Sequence, residues 1–181
     1  MDLKTIPKLE KLKLIVFDFD GVITNNKVLS DGVGNEYVVS SRSDSLGLKI
    51  LKQLIKEKRL AVRLMILSTE SNPVVKSRAT KLGLDCYSGI RNKKDFIESY
   101  SREQNLKQKE ILFLGNDLND LCVIPVVGFT IAPSDAHEIV KSNFDMVLDK
   151  KGGNGFVRKV VEEVAALQTM SKDTIINLLT K

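Results

Sequence analysis

Tryptophan is absent from the 181 residues, histidine occurs once, at His137, and cysteine twice, at Cys86 and Cys122. With aromatic residues at only 6%, the core must be largely aliphatic. A single histidine cannot furnish a multi-histidine zinc site. The two cysteines form neither a CxxC pair nor a disulfide framework, which suits a reducing, cytoplasmic compartment. Asn92 stands six positions after Cys86 and Gly128 six after Cys122, so the C-x5-R loop of cysteine phosphatases is missing. No G-x4-G-K-[ST] phosphate loop occurs, and Gly32-Val33-Gly34 lacks the third glycine of a dinucleotide loop. No apolar run approaches the ~18 residues of a membrane span. Asp2, Lys4, Lys8, Glu10 and Lys11 interrupt the N-terminus where a signal peptide needs an apolar core, so no membrane association is expected.

What is present is ordinary for a soluble globular chain, 43% hydrophobic and 28% charged, enough to build a sizeable core. The length suits one domain over residues 1–181. Twenty-eight basic against 23 acidic residues leave a net charge of +5, which permits anionic partners without naming one. The basic run Lys49, Lys52, Lys56, Lys58, Arg59 and Arg63 has no recognition motif beside it and reads as a solvated helix face, so nucleic acid is not expected as a partner.

Short apolar runs at Leu12–Phe17, Val62–Leu67 and Ile111–Leu114 read as strands buried on both faces. Val126-Val127 with Phe129–Ala132 supplies a fourth strand and Asp145–Leu148 a fifth. Between them, helices are expected over Asp44–Lys58, Asn72–Leu82, Asn92–Asn105 and Asn119–Ile124. Asn72 and Pro73 open the second of these and Gly83 stops it. Buried strands alternating with helices predict a doubly wound α/β domain with a parallel sheet, Rossmann-type. Lys27–Ser41 breaks the alternation and reads as a β-hairpin turning around Asp31–Asn35. After Gly152-Gly153-Asn154-Gly155, a tail over 156–181 carries helices at Phe156–Leu167 and Lys172–Leu179.

Three strands end in polar residues: Asp18 and Asp20, Ser68 and Thr69, then Asn116, Asp117, Asn119 and Asp120. Ligands of an open parallel sheet bind outside those carboxyl ends. Two carboxylates two residues apart, on a loop closed by Gly21, can divide nucleophilic attack and proton exchange between them. So many like charges raise one another's pKa values unless a hard divalent cation joins them, and Mg2+ characteristically binds a few carboxylates plus a phosphate. The residues therefore point to metal-assisted phosphoryl transfer; taken singly, each cluster is also a common turn former.

Asp18-Phe19-Asp20-Gly21-Val22-Ile23-Thr24 resembles the DxDG(V/T)xT motif that opens the haloacid dehalogenase (HAD) superfamily. Ser68, then Lys93 after Ser88-Gly89, then Gly115-Asn116-Asp117-Leu118-Asn119-Asp120 follow in the order of its other motifs. The resemblance implies Asp18 as nucleophile, forming an aspartyl-phosphate, and Asp20 as general acid and then base. It implies Ser68 and Lys93, with Lys94 as the alternative lysine, as phosphate ligands. It also implies Mg2+ on the Asp18 carboxylate, the Asp20 carbonyl and the acidic loop, where Asn116, Asp117 and Asp120 are the candidate ligands.

About 19 residues, Asn25–Ser43, separate the first motif from the next helix, whereas a cap domain needs at least ~50. With Asp44-Ser45-Leu46-Gly47, Asp135-Ala136-His137 and the Gly152–Arg158 segment, this resembles the capless 3-deoxy-octulosonate-8-phosphate phosphatases. The same module forms the C-terminal domain of some CMP-sialic acid synthetases. The family implies a homotetramer assembled through the hairpins, with a neighbouring subunit covering each site. Octulosonate-phosphate members usually carry Gly-Arg after the serine; Thr69-Glu70 here, with Lys81, resembles the branch acting on sialic-type nonulosonate 9-phosphates. Arg78 is a further candidate for a substrate carboxylate, and Glu70 also fits a bare helix-start glutamate. The acidic loop departs from the family pattern, beginning Gly-Asn where active members normally begin Gly-Asp. The missing charge weakens the expected metal site. A similar loop occurs in animal synthetase domains, where the module looks structural, so a weakly active module partnering a cytidylyltransferase is the alternative expectation.

Overall fold

The computed structural model describes residues 5–180, so Asp2, Lys4 and the end of the 156–181 tail lie outside it. In chain order its strands are β1 (Leu14–Phe17), β2 (Thr24–Ser30), β3 (Glu36–Ser40), β4 (Arg63–Leu67), β5 (Asp85–Tyr87), β6 (Ile111–Leu114), β7 (Phe129–Ala132) and β8 (Met146–Val147). The helices are α1 (Arg42–Glu57), α2 (Pro73–Leu82), α3 (Lys93–Glu103), α4 (Glu138–Asn143), α5 (Phe156–Val164) and α6 (Lys172–Thr180). One six-stranded parallel sheet runs in the order β5-β4-β1-β6-β7-β8. β2 and β3 pair antiparallel as a separate ribbon. The doubly wound α/β fold with a hairpin insertion is the one the alternation of elements predicts.

Strand residues buried at every position, as in β1, β6 and β7, are what helices on both faces require. Alternate residues divide between the faces: Ile15 and Phe17 pack with α1, α2, α5 and α6, whereas Leu14 and Val16 pack with α3 and α4. From β1 the chain steps outward to β4 and β5, then crosses back to β6 on the other side of β1. The carboxyl ends of β1 and β6 therefore flank the point where winding reverses, which is where such sheets bind ligands.

Capping fixes the helix starts near that edge. Ser41 Oγ accepts from the amides of Ser43 and Asp44 at α1, Asn72 Oδ1 from Val74 at α2, and Asn92 Oδ1 from Asp95 at α3. Gly83 ends α2 at φ +66°.

Several boundaries differ from the sequence expectation. The hairpin starts at Thr24 rather than Lys27, because Thr24 already pairs with Ser40. The segment expected as a helix over Asn119–Ile124 is a 3-10 stretch, Leu118–Val126, since Pro125 has no N–H to donate and Asp117 and Asp120 tie down its first turn. Val126 and Val127 fall outside the fourth strand, and the fifth shortens to Met146–Val147. α5 stops at Val164, and Ala166 at φ +50° starts a separate 3-10 turn. Among the described residues no helix is long and apolar enough to cross a membrane.

Candidate active site

The first carboxylate loop is a type II turn: Asp20 at φ −76°, ψ 127° and Gly21 at φ 77°, ψ 1°. Glycine is needed twice over, for the positive φ and because a Cβ there would come within 2.0 Å of the Asn116 carboxamide group. Leaving β1, the chain therefore presents the Asp18 side chain and the Asp20 carbonyl toward the end of β6. Thr24, fully buried, donates its hydroxyl to Asp20 Oδ1 at 3.1 Å and accepts from the Gly21 amide at 3.4 Å. The threonine ends the loop motif in the sequence, and its task is to orient the second carboxylate.

Beneath the loop lies Lys93, the first residue of α3 and 0% exposed. A helix N-terminus repels a cation, so its place there depends on countercharge. Its Nζ lies 2.7 Å from Asp18 Oδ1 and 2.7 Å from Asp120 Oδ1. Burial pulls the Lys93 pKa down, but the charges of Asp18 and Asp120 outweigh it and hold the ammonium above its ordinary value. Lys94 points elsewhere, 4.0 Å from Glu98.

Asp120, expected among the metal ligands, turns inward. It is 0% exposed; Oδ1 accepts from Lys93, and Oδ2 accepts the amides of Asn116 at 2.8 Å and Asp117 at 3.3 Å. Asp117 is exposed beside the crevice. One ammonium between two buried carboxylates leaves a negative charge, and Asp18 shows it: burial, reinforced by Asp120, pushes its pKa up to about 7 against the pull of Lys93. Burial likewise raises Asp20, with Glu70 and Glu36 adding to it and the Thr24 hydrogen bond opposing.

The Asn116 carboxamide, 6% exposed, places one atom 2.7 Å from the Asp20 carbonyl oxygen and 3.2 Å from Asp18 Oδ2. Hydrogen-bond logic assigns nitrogen to that position, donating to both. Neighbouring ligands of an octahedral Mg2+, bound at ~2.0–2.1 Å, stand about 2.9 Å apart, so the same three positions suit a cation with the carboxamide oxygen turned inward. The donor set therefore fits Mg2+, an all-oxygen group carrying net negative charge.

The crevice above them, about 100 Å³, is lined by Asp18, Asp20, Asn26, Ser68, Thr69, Asn116, Asp117 and Asn119. Ser68, buried at the end of β4, accepts from the Glu70 amide at 3.1 Å, which leaves its own hydroxyl proton free to donate. A larger cavity of about 610 Å³ opens beside α5, lined by Asp149 and Glu162 but also by Lys150, Lys151, Arg158 and Lys159, and its Glu162 is already matched by Arg158 at 2.7 Å.

The expected substrate residues are partly gathered here. Glu70 is exposed beside Asp20, with Oε1 accepting the amides of Ser71 and Asn72. Asn72 in turn donates to Glu36 on β3 at 2.7 Å, joining the hairpin to the rim. Arg78 reaches toward α1, donating to Ser45 Oγ at 2.6 Å, while its buried Nε has no partner. Lys81 is exposed one turn further on, about 12 Å along the axis from Pro73.

Two segments with no assigned chemistry buttress the loop. The His137 amide donates to the Asn116 carbonyl at 2.8 Å, and Asp135 Oδ1 accepts the Gly152 amide at 2.9 Å. Gly152 lies so close to the first carboxylate loop that a Cβ would fall 1.8 Å from the Gly21 oxygen. The signal was present in the sequence as Asp-Ala-His and paired glycines, but their target lies far along the chain.

Comparison with known proteins follows the same lines. The chain is 26% identical over 169 residues to 3-deoxy-D-manno-octulosonate 8-phosphate phosphatase of Haemophilus influenzae, covering 93% of this chain and 89% of that one. It is also 26% identical over 169 residues to N-acylneuraminate cytidylyltransferase A of Danio rerio, covering 91% of this chain but 37% of the relative. The structure of a 3-deoxy-D-manno-octulosonate 8-phosphate phosphatase from Moraxella catarrhalis, in complex with magnesium ion, phosphate ion and KDO, matches with a TM-score of 0.82. Its sequence identity is 27%, over 94% of this chain and 95% of that one. The model of the haloacid dehalogenase-like hydrolases matches residues 8–160. With a parallel sheet, a carboxylate loop at its switch point and a buried lysine beneath, the chain belongs to the haloacid dehalogenase-like hydrolase family.

Proposed function

We propose that the protein is a Mg2+-dependent phosphatase of a phosphorylated 2-keto-3-deoxy sugar acid, an octulosonate 8-phosphate or a sialic-type nonulosonate 9-phosphate. The observation that carries this reading is Asp18: a buried carboxylate held 2.7 Å from Lys93, opening onto a small polar crevice with Asp20 beside it. Asp18 attacks phosphorus and becomes the aspartyl-phosphate while Asp20, its pKa raised by burial, gives the sugar oxygen a proton. Asp20 then takes a proton from the water that cleaves the acyl phosphate. Ser68 donates to a phosphoryl oxygen, and Lys93 holds Asp18 in line and balances charge from below. Mg2+, held by Asp18, the Asp20 carbonyl and Asn116, with Asp117 directly or through water, supplies positive charge to the phosphoryl oxygens. Asp120 acts one step back, fixing Lys93 and the acidic-loop amides.

Glu70 at the rim accepts from hydroxyl or amino groups of the sugar, while Arg78 and Lys81, on one face of α2, answer the carboxylate. The exposed apolar hairpin fits the family tetramer, in which neighbouring copies cover the site, and the free thiols Cys86 and Cys122 fit a cytoplasmic setting. Phosphate release is measured over 8- and 9-phosphorylated keto sugar acids with and without Mg2+. Mg2+-dependent turnover of one of them is expected, and none from any would sink the reading.

A second reading is favoured by Asn116 and by the match to part of a cytidylyltransferase. In it the protein is a weakly active module that oligomerises with such an enzyme. It predicts negligible turnover and a stable complex with the transferase in co-purification.

A further inference from the structure

Asn116 is wedged between Asp18 and the Asp20–Gly21 turn, in space that exists only because residue 21 has no side chain. The carboxamide atom facing the turn meets two oxygens, the Asp20 carbonyl at 2.7 Å and Asp18 Oδ2 at 3.2 Å. A carbonyl and an ionised carboxylate only accept, so that atom must be nitrogen when nothing lies between them. With a cation among them it must be oxygen. The spacing serves both, since about 2.9 Å is also the edge of a Mg2+ octahedron.

We propose that Asn116 is a built-in stand-in for the cation. In the metal-free protein its amide nitrogen bridges Asp18 and the Asp20 carbonyl. Metal binding exchanges nitrogen for oxygen by a half-turn of the carboxamide about Cβ–Cγ. The inference rests on reading this crevice as a Mg2+ site. An aspartate at the position would behave oppositely in both states. Metal-free, it would set a further carboxylate oxygen against Asp18 and a carbonyl, a like-charge contact in a buried site that already holds a surplus negative charge. Loaded, it would add a full charge to the ligand set. Asparagine thus gives a self-satisfied empty site and weaker metal affinity.

Calorimetric titration with Mg2+, without substrate, compares the wild-type protein with Asn116→Asp. The variant should bind on the order of 10–100-fold more tightly. It should also melt at a lower temperature than the wild type in EDTA and gain more from added Mg2+. Binding by the variant where the wild type shows none overturns the proposal, because nitrogen is then never exchanged for oxygen. In 15N-labelled wild-type protein, the Asn116 side-chain amide pair should exchange slowly in EDTA and lose that protection as Mg2+ saturates. Affinity in Asn116→Asp equal to or below wild type overturns the proposal, as does an amide pair unmoved at saturation. Should Asn116→Asp fail to fold, Asn116→Ala replaces it. It should melt below wild type in EDTA and bind Mg2+ more weakly still, and an unchanged melting temperature overturns the proposal. None of these readouts needs turnover. An inactive protein that binds Mg2+ this way upholds the stand-in and sinks the phosphatase reading, whereas phosphate release over an unmoved Asn116 does the reverse.

Discussion

Beneath the crevice, Lys93, Asp18 and Asp120 are buried and bonded to one another, whereas in the β2–β3 ribbon Val28, Leu29, Tyr37 and Val39 are half or more exposed. The two regions adjoin the same site through Thr24 and Glu36. The floor is complete within one chain: Lys93 bridges the two carboxylates, and the amides of Asn116 and Asp117 fix Asp120. The ribbon is not: Val38 packs against the core, but Val28, Leu29, Tyr37 and Val39 are open to water, and a two-stranded hairpin is marginal alone. The fold thus holds the carboxylates and the lysine rigidly while the apolar face of the ribbon stays open to water.

Breaking the floor should have the largest effect. Lys93→Met leaves two carboxylates buried without a counterion, and about 3–5 kcal/mol of stability should be lost in urea denaturation, together with phosphate release. Gly21→Ala forces a side chain to φ +77° and against Asn116, and should cost about 1–3 kcal/mol by the same measurement. Asp18→Asn should abolish turnover yet stabilise the EDTA-treated protein. An acid whose pKa is raised on folding destabilises when ionised; that penalty is absent below its ordinary value of 3.8 and complete above about 7. The gain, a few kcal/mol at most, should therefore be full above neutrality and fade as pH falls toward 4.

On the other side of the comparison, Leu29→Ser with Tyr37→Ser should change folding stability by under about 0.5 kcal/mol, as exposed sites do. The same pair should lower the assembled mass in analytical ultracentrifugation. The smallest effect joins the two regions. Burial, reinforced by Glu70 and Glu36, raises the pKa of Asp20, so with Asp20 as the proposed general acid turnover should be lost as pH rises through that value. Glu70→Gln should move the alkaline limb of kcat to lower pH by a few tenths of a unit.

The sequence shows the floor better than its surroundings. Buried strands ending in Asp18, Ser68 and Asn116 are legible because strand periodicity and terminal polar residues are local signals. That Asp120 faces Lys93 rather than the crevice is not, since a 3-10 turn instead of an α-helix decides where its carboxylate points. Thr24 is visible as a motif letter while its hydrogen bond to Asp20 is a matter of tertiary placement. β5 and α4 are too short for periodicity to define their limits. The buttresses at Asp135, His137 and Gly152 escape local reading entirely, for their partners are backbone atoms of distant loops.

The contact of Gly152 with the Gly21 carbonyl also carries a kinetic consequence. It joins positions about 130 residues apart, so the Asp18–Gly21 loop cannot gain this support until Gly152 has been synthesised. During synthesis the Asp18 carboxylate belongs to an unfinished loop until that glycine arrives. Timing, as much as geometry, is written into a pair of glycines.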